Sequence, residues 1–173
     1  MCQRGSITMQ MLNLGCGFDI KPGWVNVDNS LASGVEYWDA IDNVVPEQWV
    51  NKFDFILANH LFCAIKPTDM GVVLSKIKMM LNPDGKVQII DMDVMKVIQS
   101  YLDKRFEDIP IETGSPDEKL CYALSGYGTR LSLFTPITMY GWLDMMGFHN
   151  IKQLESSEYD MRQKESLIFE ATK

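Results

Sequence analysis

Histidine is scarce in this chain: two in 173 residues, His60 and His149. The four cysteines, Cys2, Cys16, Cys63 and Cys121, are widely scattered, and no Cys-x-x-Cys pair occurs. A structural zinc site needs four closely set Cys or His ligands. Neither a zinc module nor a disulfide scaffold is therefore expected, and no metal is expected at the site. Cysteine use of this kind suits a reducing compartment, and a cytoplasmic location is the expectation. Long apolar runs are also missing. None approaches the ~20 residues that span a bilayer, and residues 1–6 lack the apolar stretch of a secretion signal. Positive charge is in deficit, with 16 Lys and Arg against 23 Asp and Glu and a net charge of -7. A phosphate backbone is gripped by a basic surface that releases its counterions. Nucleic acid and an anionic membrane face are disfavoured as partners for that reason. A small-molecule substrate is not. No feature of the sequence fixes an oligomeric state.

No repeat, low-complexity tract or charge block divides the chain. Apolar residues make up 46% of it, and a chain of this size buries roughly 70% of its unfolded surface. One domain over residues 1–173 is expected. The twelve methionines read as core filler, and Trp24, Trp38, Trp49 and Trp142 as core or sheet-edge aromatics.

Strand-like runs fall at 9–14, 24–28, 35–38, 53–58 and 86–90. Their near-continuous apolar character suits strands covered on both faces. Three helices are signalled. Met70, Val73, Leu74, Ile77 and Leu81 share one stripe, opened by Thr68-Asp69 and stopped at Asn82-Pro83-Asp84-Gly85. Val94, Val97, Ile98, Tyr101 and Leu102 follow a cap at Asp93. Met139, Trp142, Leu143 and Met146 follow Thr135-Pro136 and end at Gly147. The runs 148–152 and 166–171 are separated by too few residues, and no helical stripe, for a parallel crossover. They read as an antiparallel hairpin. Residues 103–134 are the least regular and read as a lid or substrate-selecting segment.

The informative stretch is Leu12-Asn13-Leu14-Gly15-Cys16-Gly17, followed by Pro22-Gly23-Trp24-Val25-Asn26-Val27-Asp28. A strand runs into a Gly-x-Gly turn, and a second strand delivers an acid beside it. Glycine lets the backbone bend sharply and lets a ligand lie against it. An acid at that place can take both hydroxyls of a ribose. A dinucleotide fingerprint would need a third glycine opening a helix, because pyrophosphate sits on the helix N-terminus. Ile20 stands there instead, and the eleven positions from Gly17 to Asp28 leave no room for a full helix plus a strand. A ribose-containing ligand without phosphate fits better, and S-adenosylmethionine is one.

These residues resemble the class I S-adenosylmethionine-dependent methyltransferases. More narrowly, they are similar to small bacterial and phage methyltransferase-like proteins with an L-N-[LI]-G-[CS]-G … P-G-[WFY]-[VI]-N-V-D opening. Phe53-Asp54-Phe55-Ile56-Leu57-Ala58-Asn59-His60-Leu61 resembles the family's fourth strand. Leu81-Asn82-Pro83-Asp84-Gly85-Lys86-Val87 is similar to its turn into strand five, and Gly147-Phe148 with residues 165–173 to its closing hairpin. The matches stand in family order over 11–173, with 103–134 unmatched.

The resemblance implies an α/β fold: a doubly wound, mostly parallel seven-stranded sheet with a C-terminal antiparallel hairpin and an abbreviated first helix. S-adenosylmethionine is the implied cofactor. Gly15, Cys16 and Gly17 would line its methionine part and Asp28 would hold the ribose, with Leu14 and Asn29 as further cofactor-binding residues. Asp39 would lie near the adenine edge with Ala40 packed next to it. Asn59 and His60 would sit where cofactor meets substrate, His60 as the catalytic base for a hydroxyl acceptor. Tyr127 and Arg130 are the candidate substrate contacts in 103–134. The chain departs from the family at His60-Leu61-Phe62-Cys63-Ala64, where many relatives carry a further acid and histidine, and at Asp84, where they carry glycine. Three readings follow: O- or N-methylation of a small molecule, a non-catalytic module that binds cofactor or a partner protein, and, more weakly, a nicotinamide-dependent enzyme.

Overall fold

The computed structural model describes residues 9–160 and 164–173. Seven strands form one sheet: β1 (Met11–Leu14), β2 (Val25–Asp28), β3 (Glu36–Tyr37), β4 (Phe53–Asn59), β5 (Leu81–Met92), β6 (His149–Leu154) and β7 (Ser166–Thr172). Their spatial order is β3-β2-β1-β4-β5-β7-β6. Pairs among the first five are parallel, and β7 runs antiparallel to both β5 and β6. The closing hairpin is therefore as expected. The chain leaves β1 toward β2 and β3, then crosses back to place β4 on the other side. That reversal opens a crevice outside the carboxyl ends of β1 and β4.

Strand periodicity divides the sheet's apolar residues between two faces. Ile56, Ala58, Val87, Ile89, Leu167, Phe169 and Ala171 join the main core with Val73, Leu74 and Ile77 of α1 (Met70–Met80). Met139 and Leu143 of α4 (Pro136–Met145) belong to the same core. Leu57, Ile90 and Ile168 form a smaller cluster under Trp24, Phe55, Leu154 and Tyr159. Trp24 meets both Phe55 and Tyr159 edge-on, at centroid distances of 5.8 and 5.4 Å.

No helix occupies residues 15–24, which form turns. A polar knot secures them instead. Asn13 and Asn26 are buried. Asn13 Nδ2 donates to the Asp19 carbonyl at 2.7 Å and to Asn26 Oδ1 at 3.1 Å. Asn26 accepts the Lys21 amide at 2.9 Å and returns a bond to the Lys21 carbonyl at 3.0 Å. Buried amide side chains satisfied in this way hold a loop where a helix would otherwise cover the sheet.

The helix ends differ from expectation in places. α1 has no side-chain cap: Asp69 is itself in helical conformation, and a 3-10 turn over Pro67–Asp69 leads in. Leu81 is extended and begins β5 opposite Phe53. Pro83 disfavours helix at Asn82, so the chain leaves the helix one residue earlier. Asp93 caps α2 (Val94–Leu102) as expected, accepting the Met95 amide at 3.0 Å. Thr135 and Thr138 form a reciprocal box at the start of α4. Residues 103–134 are more regular than the sequence indicates. They contain α3 (Pro116–Ser125), capped by the reciprocal Ser115 and Glu118 bonds and ended by Gly126.

Candidate functional site

The Gly15 and Cys16 amides both donate to the Val27 carbonyl, at 2.8 and 3.0 Å. This ties the turn after β1 to β2. Gly15 and Gly17 have φ of +68° and +51°, the left-handed region that favours glycine. A β-carbon at Gly15 would fall 2.7 Å from Leu61 Cδ1, whereas one at Gly17 would meet nothing within 4 Å. The Gly17 amide donates to Asp28 Oδ2 at 2.9 Å. Asp28 Oδ1 accepts the Ser30 amide and hydroxyl at 2.9 and 2.7 Å. Burial alone would raise the Asp28 pKa. The hydrogen bonds from Ser30 and Gly17, with a smaller pull from the nearby Asn29 amide, outweigh it and hold the carboxyl below its ordinary value.

A cavity of about 200 Å³ opens beside this pair. Leu14, Gly15, Asp28, Asn29, Asp39, Ala40 and His60 line it, together with Trp38, Ile41, Leu61, Ala64 and Ile65. One wall is the loop 39–43. Asp39 Oδ1 accepts the Ile41 and Asp42 amides at 2.7 and 3.1 Å, and Oδ2 accepts Asn29 Nδ2 at 3.2 Å. Burial would raise the Asp39 pKa, but these donors and Lys76 more than reverse it. Lys76 Nζ donates to the carbonyls of Ala40, Ile41 and Asn43 at 3.0, 2.6 and 2.7 Å. The Asp39 carboxylate thus folds its own loop, and one lysine on α1 clamps that loop to the body.

Other expected site residues lie elsewhere. Cys16, Gly17 and Asn59 do not line the cavity. Burial, then Asp28, raises the Cys16 thiol pKa. Asn59 Nδ2 donates to the Tyr159 carbonyl at 3.2 Å. Its buried Oδ1 has no partner among the described residues. The Tyr127 side chain lies outside what the structure describes.

His60 stands at the end of β4 with φ of +54°, and its amide donates to the Ile90 carbonyl at 2.7 Å. Its Nδ1 lies 3.8 Å from Oδ1 of Asp91, a fully buried carboxylate at the end of β5. Asp91 Oδ2 accepts the Cys63 amide at 2.8 Å. Its Oδ1 accepts the Met92 amide at 2.8 Å and Arg130 Nη1 at 3.4 Å. Arg130 therefore meets Asp91 rather than the first cavity. The ligand atoms of His60, Cys63 and Asp91 lie within 4.8 Å of one another, close enough to share a metal ion. Burial, then Asp91, pushes the Cys63 thiol up to about 12, and its Sγ donates to the His60 carbonyl at 3.1 Å. Cys63 is thus a neutral thiol in a network centred on Asp91. The sequence reading missed Asp91; its one signal was an acid inside the apolar run of β5.

No protein-family model and no curated protein matches the chain. Solved structures do. A SAM-dependent methyltransferase from Archaeoglobus fulgidus superposes with a TM-score of 0.61 at 14% identity, over 95% of this chain and 86% of that one. The fold is that of the S-adenosylmethionine-dependent methyltransferases. A possible histamine N-methyltransferase from Thermotoga maritima gives a TM-score of 0.62 at 14% identity, over 96% of this chain and 83% of its own. Phosphoethanolamine N-methyltransferase 2 of Haemonchus contortus, solved in complex with S-adenosyl-L-methionine, gives 0.60 at 16% identity over 95% of this chain. This chain spans 48% of that protein's length. The strand order and closing hairpin are those of this methyltransferase fold. Among the described residues, no helix is long and apolar enough to cross a membrane.

Proposed function

We propose that the crevice binds S-adenosylmethionine and that the chain transfers its methyl group to a small-molecule acceptor. The observation that carries this reading is the Asp28 carboxylate, held at the mouth of the glycine turn and facing the cavity. A carboxylate has about four acceptor positions. Gly17 and Ser30 use three in this structure. One position on Oδ2 is open, and rotation of the Ser30 hydroxyl frees a second, which suits the two hydroxyls of a ribose. The rest of the lining fits the same ligand. Trp38, Ala40 and Ile41 offer apolar surface for a base, and Asn29 and Asp39 are polar.

When bound, the cofactor supplies a methyl group on a sulfonium, already a strong electrophile. The protein's task is then mainly alignment, which can supply roughly 7–11 kcal/mol. Asp28 and Asn29 orient the ribose, and the Lys76-clamped loop walls the base. His60 takes the proton of a hydroxyl acceptor. Its Nδ1 is buried, 3.8 Å from Asp91 Oδ1 and without a hydrogen-bond partner among the described residues, so Nε2 is the nitrogen assigned to accept the proton.

A nicotinamide dinucleotide fits less well, because the turns over 15–24 present no helix N-terminus for a pyrophosphate. A non-catalytic cofactor-binding module is the second reading, favoured by the run 60–64, which has no acid beside its single histidine. Incubation with S-adenosylmethionine and a panel of small hydroxyl and amine acceptors separates the two. Acceptor-dependent release of S-adenosylhomocysteine, lost in His60→Asn, supports the enzyme. Binding without release across the panel supports the module.

A further inference from the structure

A second cavity, of about 230 Å³, lies under α3. Met92, Pro110, Ile111 and Ala123 give it apolar walls, and Arg130 lies at its side. It neighbours the first. His60 lines both the first cavity and a tight seam, and Met92 and Pro110 line both that seam and the second cavity. One Asp91 oxygen lies 3.8 Å from His60 Nδ1 and 3.4 Å from Arg130 Nη1. The guanidinium is therefore one carboxylate away from the proposed base.

Arg130 is a buried cation with little to hold. Its side chain is 10% exposed. Of its five N–H donors, one makes a long contact to Asp91, and Nε is buried with no partner among the described residues. Asp91 is itself shared with the Cys63 and Met92 amides. Asp91 balances the guanidinium's charge at long range, but a buried Nε–H without a partner is costly where it stands, and an acceptor entering the cavity would satisfy it. The position of Arg130 is nonetheless tightly fixed. The Arg130 amide donates to the Ser125 carbonyl at the end of α3, and the Leu131 and Ser132 amides both donate to the Cys63 carbonyl. The absence of a β-carbon at Gly126 gives it room: one built there would lie 2.9 Å from Arg130 Cβ.

We infer that the second cavity takes the methyl acceptor and that the acceptor is a small carboxylate with an apolar body, gripped by Arg130. The planar fork of arginine matches a carboxylate in two parallel bonds, and the apolar walls take the remainder of the molecule. His60 stands at the seam between the two cavities, which leaves no room for a water-sized molecule in this structure. This inference rests on the methyltransferase reading for the word acceptor; the anion site itself does not.

Calorimetric titrations test it with pairs of similar shape in which a carboxylate is replaced by its neutral amide: lactate and lactamide, mandelate and mandelamide, salicylate and salicylamide. S-adenosylhomocysteine is titrated separately. Acids should bind at least about tenfold more tightly than their amides, the size of one charged hydrogen bond. Arg130→Gln should abolish that preference and leave S-adenosylhomocysteine affinity unchanged. Arg130→Lys keeps a charge beside Asp91 and so protects the fold; it should reduce the preference, because the fork is lost. Equal binding of acids and amides by the parent protein overturns the inference, as does an acid preference that survives in Arg130→Gln. The two readings fail separately. Acid binding without S-adenosylhomocysteine binding sinks the methyltransferase reading and keeps the anion site. S-adenosylhomocysteine binding with no acid preference does the reverse.

Discussion

The amide of Gly17 donates to Asp28 Oδ2 at 2.9 Å, so the glycine turn and the acid at the end of β2 hold each other in place. This bond has a pH signature. The Asp28 carboxyl is held below its unfolded value of 3.8, with Ser30 and Gly17 outweighing burial. A group with a depressed folded pKa contributes stability above its unfolded pKa and loses it as pH falls through the folded value. The gap in urea midpoint between the parent and Asp28→Asn should be constant near neutral pH and close as pH falls below 3.8. A gap that does not change with pH would rule out a charged Asp28 as its source.

Gly15 and Gly17 should respond differently to alanine. Both carry positive φ, which costs a β-carbon about 1–2 kcal/mol. Gly15→Ala adds a clash, because its β-carbon would meet Leu61 Cδ1 at 2.7 Å. Gly17→Ala meets open space. Gly15→Ala should therefore be the more destabilising change, and Leu61→Ala should partly rescue it. A double-mutant cycle in denaturant reads the coupling; additive effects would show that the clash is absent.

Lys76 is the clamp of the loop 39–43. Lys76→Met keeps the stem and removes three donors from part-buried carbonyls. Each carbonyl left without a partner costs about 1–3 kcal/mol unless water reaches it. The amides of residues 39–43 should exchange hydrogen faster, and S-adenosylhomocysteine affinity should drop while α2 and α3 stay protected. Unchanged exchange in the loop would show that Asp39 alone suffices to fold it.

Ser115→Ala breaks the reciprocal cap of α3 and should cost about 1 kcal/mol of local stability. Exchange should rise across Pro116–Ser125. The first cavity is remote from this cap in its lining, so S-adenosylhomocysteine affinity should hold. Loss of that affinity would mean that α3 supports the first cavity as well as the second.

The parts legible in the sequence were those whose chemistry is local. The glycine turn, Asp28 and the strands around them lie within eighteen residues, and strand, bend and strand are each written in neighbouring side chains. The caps at Asp93 and Thr135 were legible for the same reason. Asp91 was not, because its partners come from residues 60–63 and 130, and no local pattern links them. α3 has a reciprocal cap spelled Ser115-Pro116-Asp117-Glu118, and that was the overlooked signal. Its stripe is faint because Ala123 is its one fully buried residue. The Asn13–Asn26 knot was illegible too, since backbone carbonyls of a turn are half of it.

Titration calorimetry with S-adenosylhomocysteine on the parent and on Asp28→Ala is the most direct test. Binding at one site per chain, weakened about 10- to 100-fold in a folded Asp28→Ala, is the predicted result; that range corresponds to about one hydrogen bond to a charged carboxylate. A parent that takes up no ligand, or an Asp28→Ala variant that binds as tightly as the parent, would contradict the account.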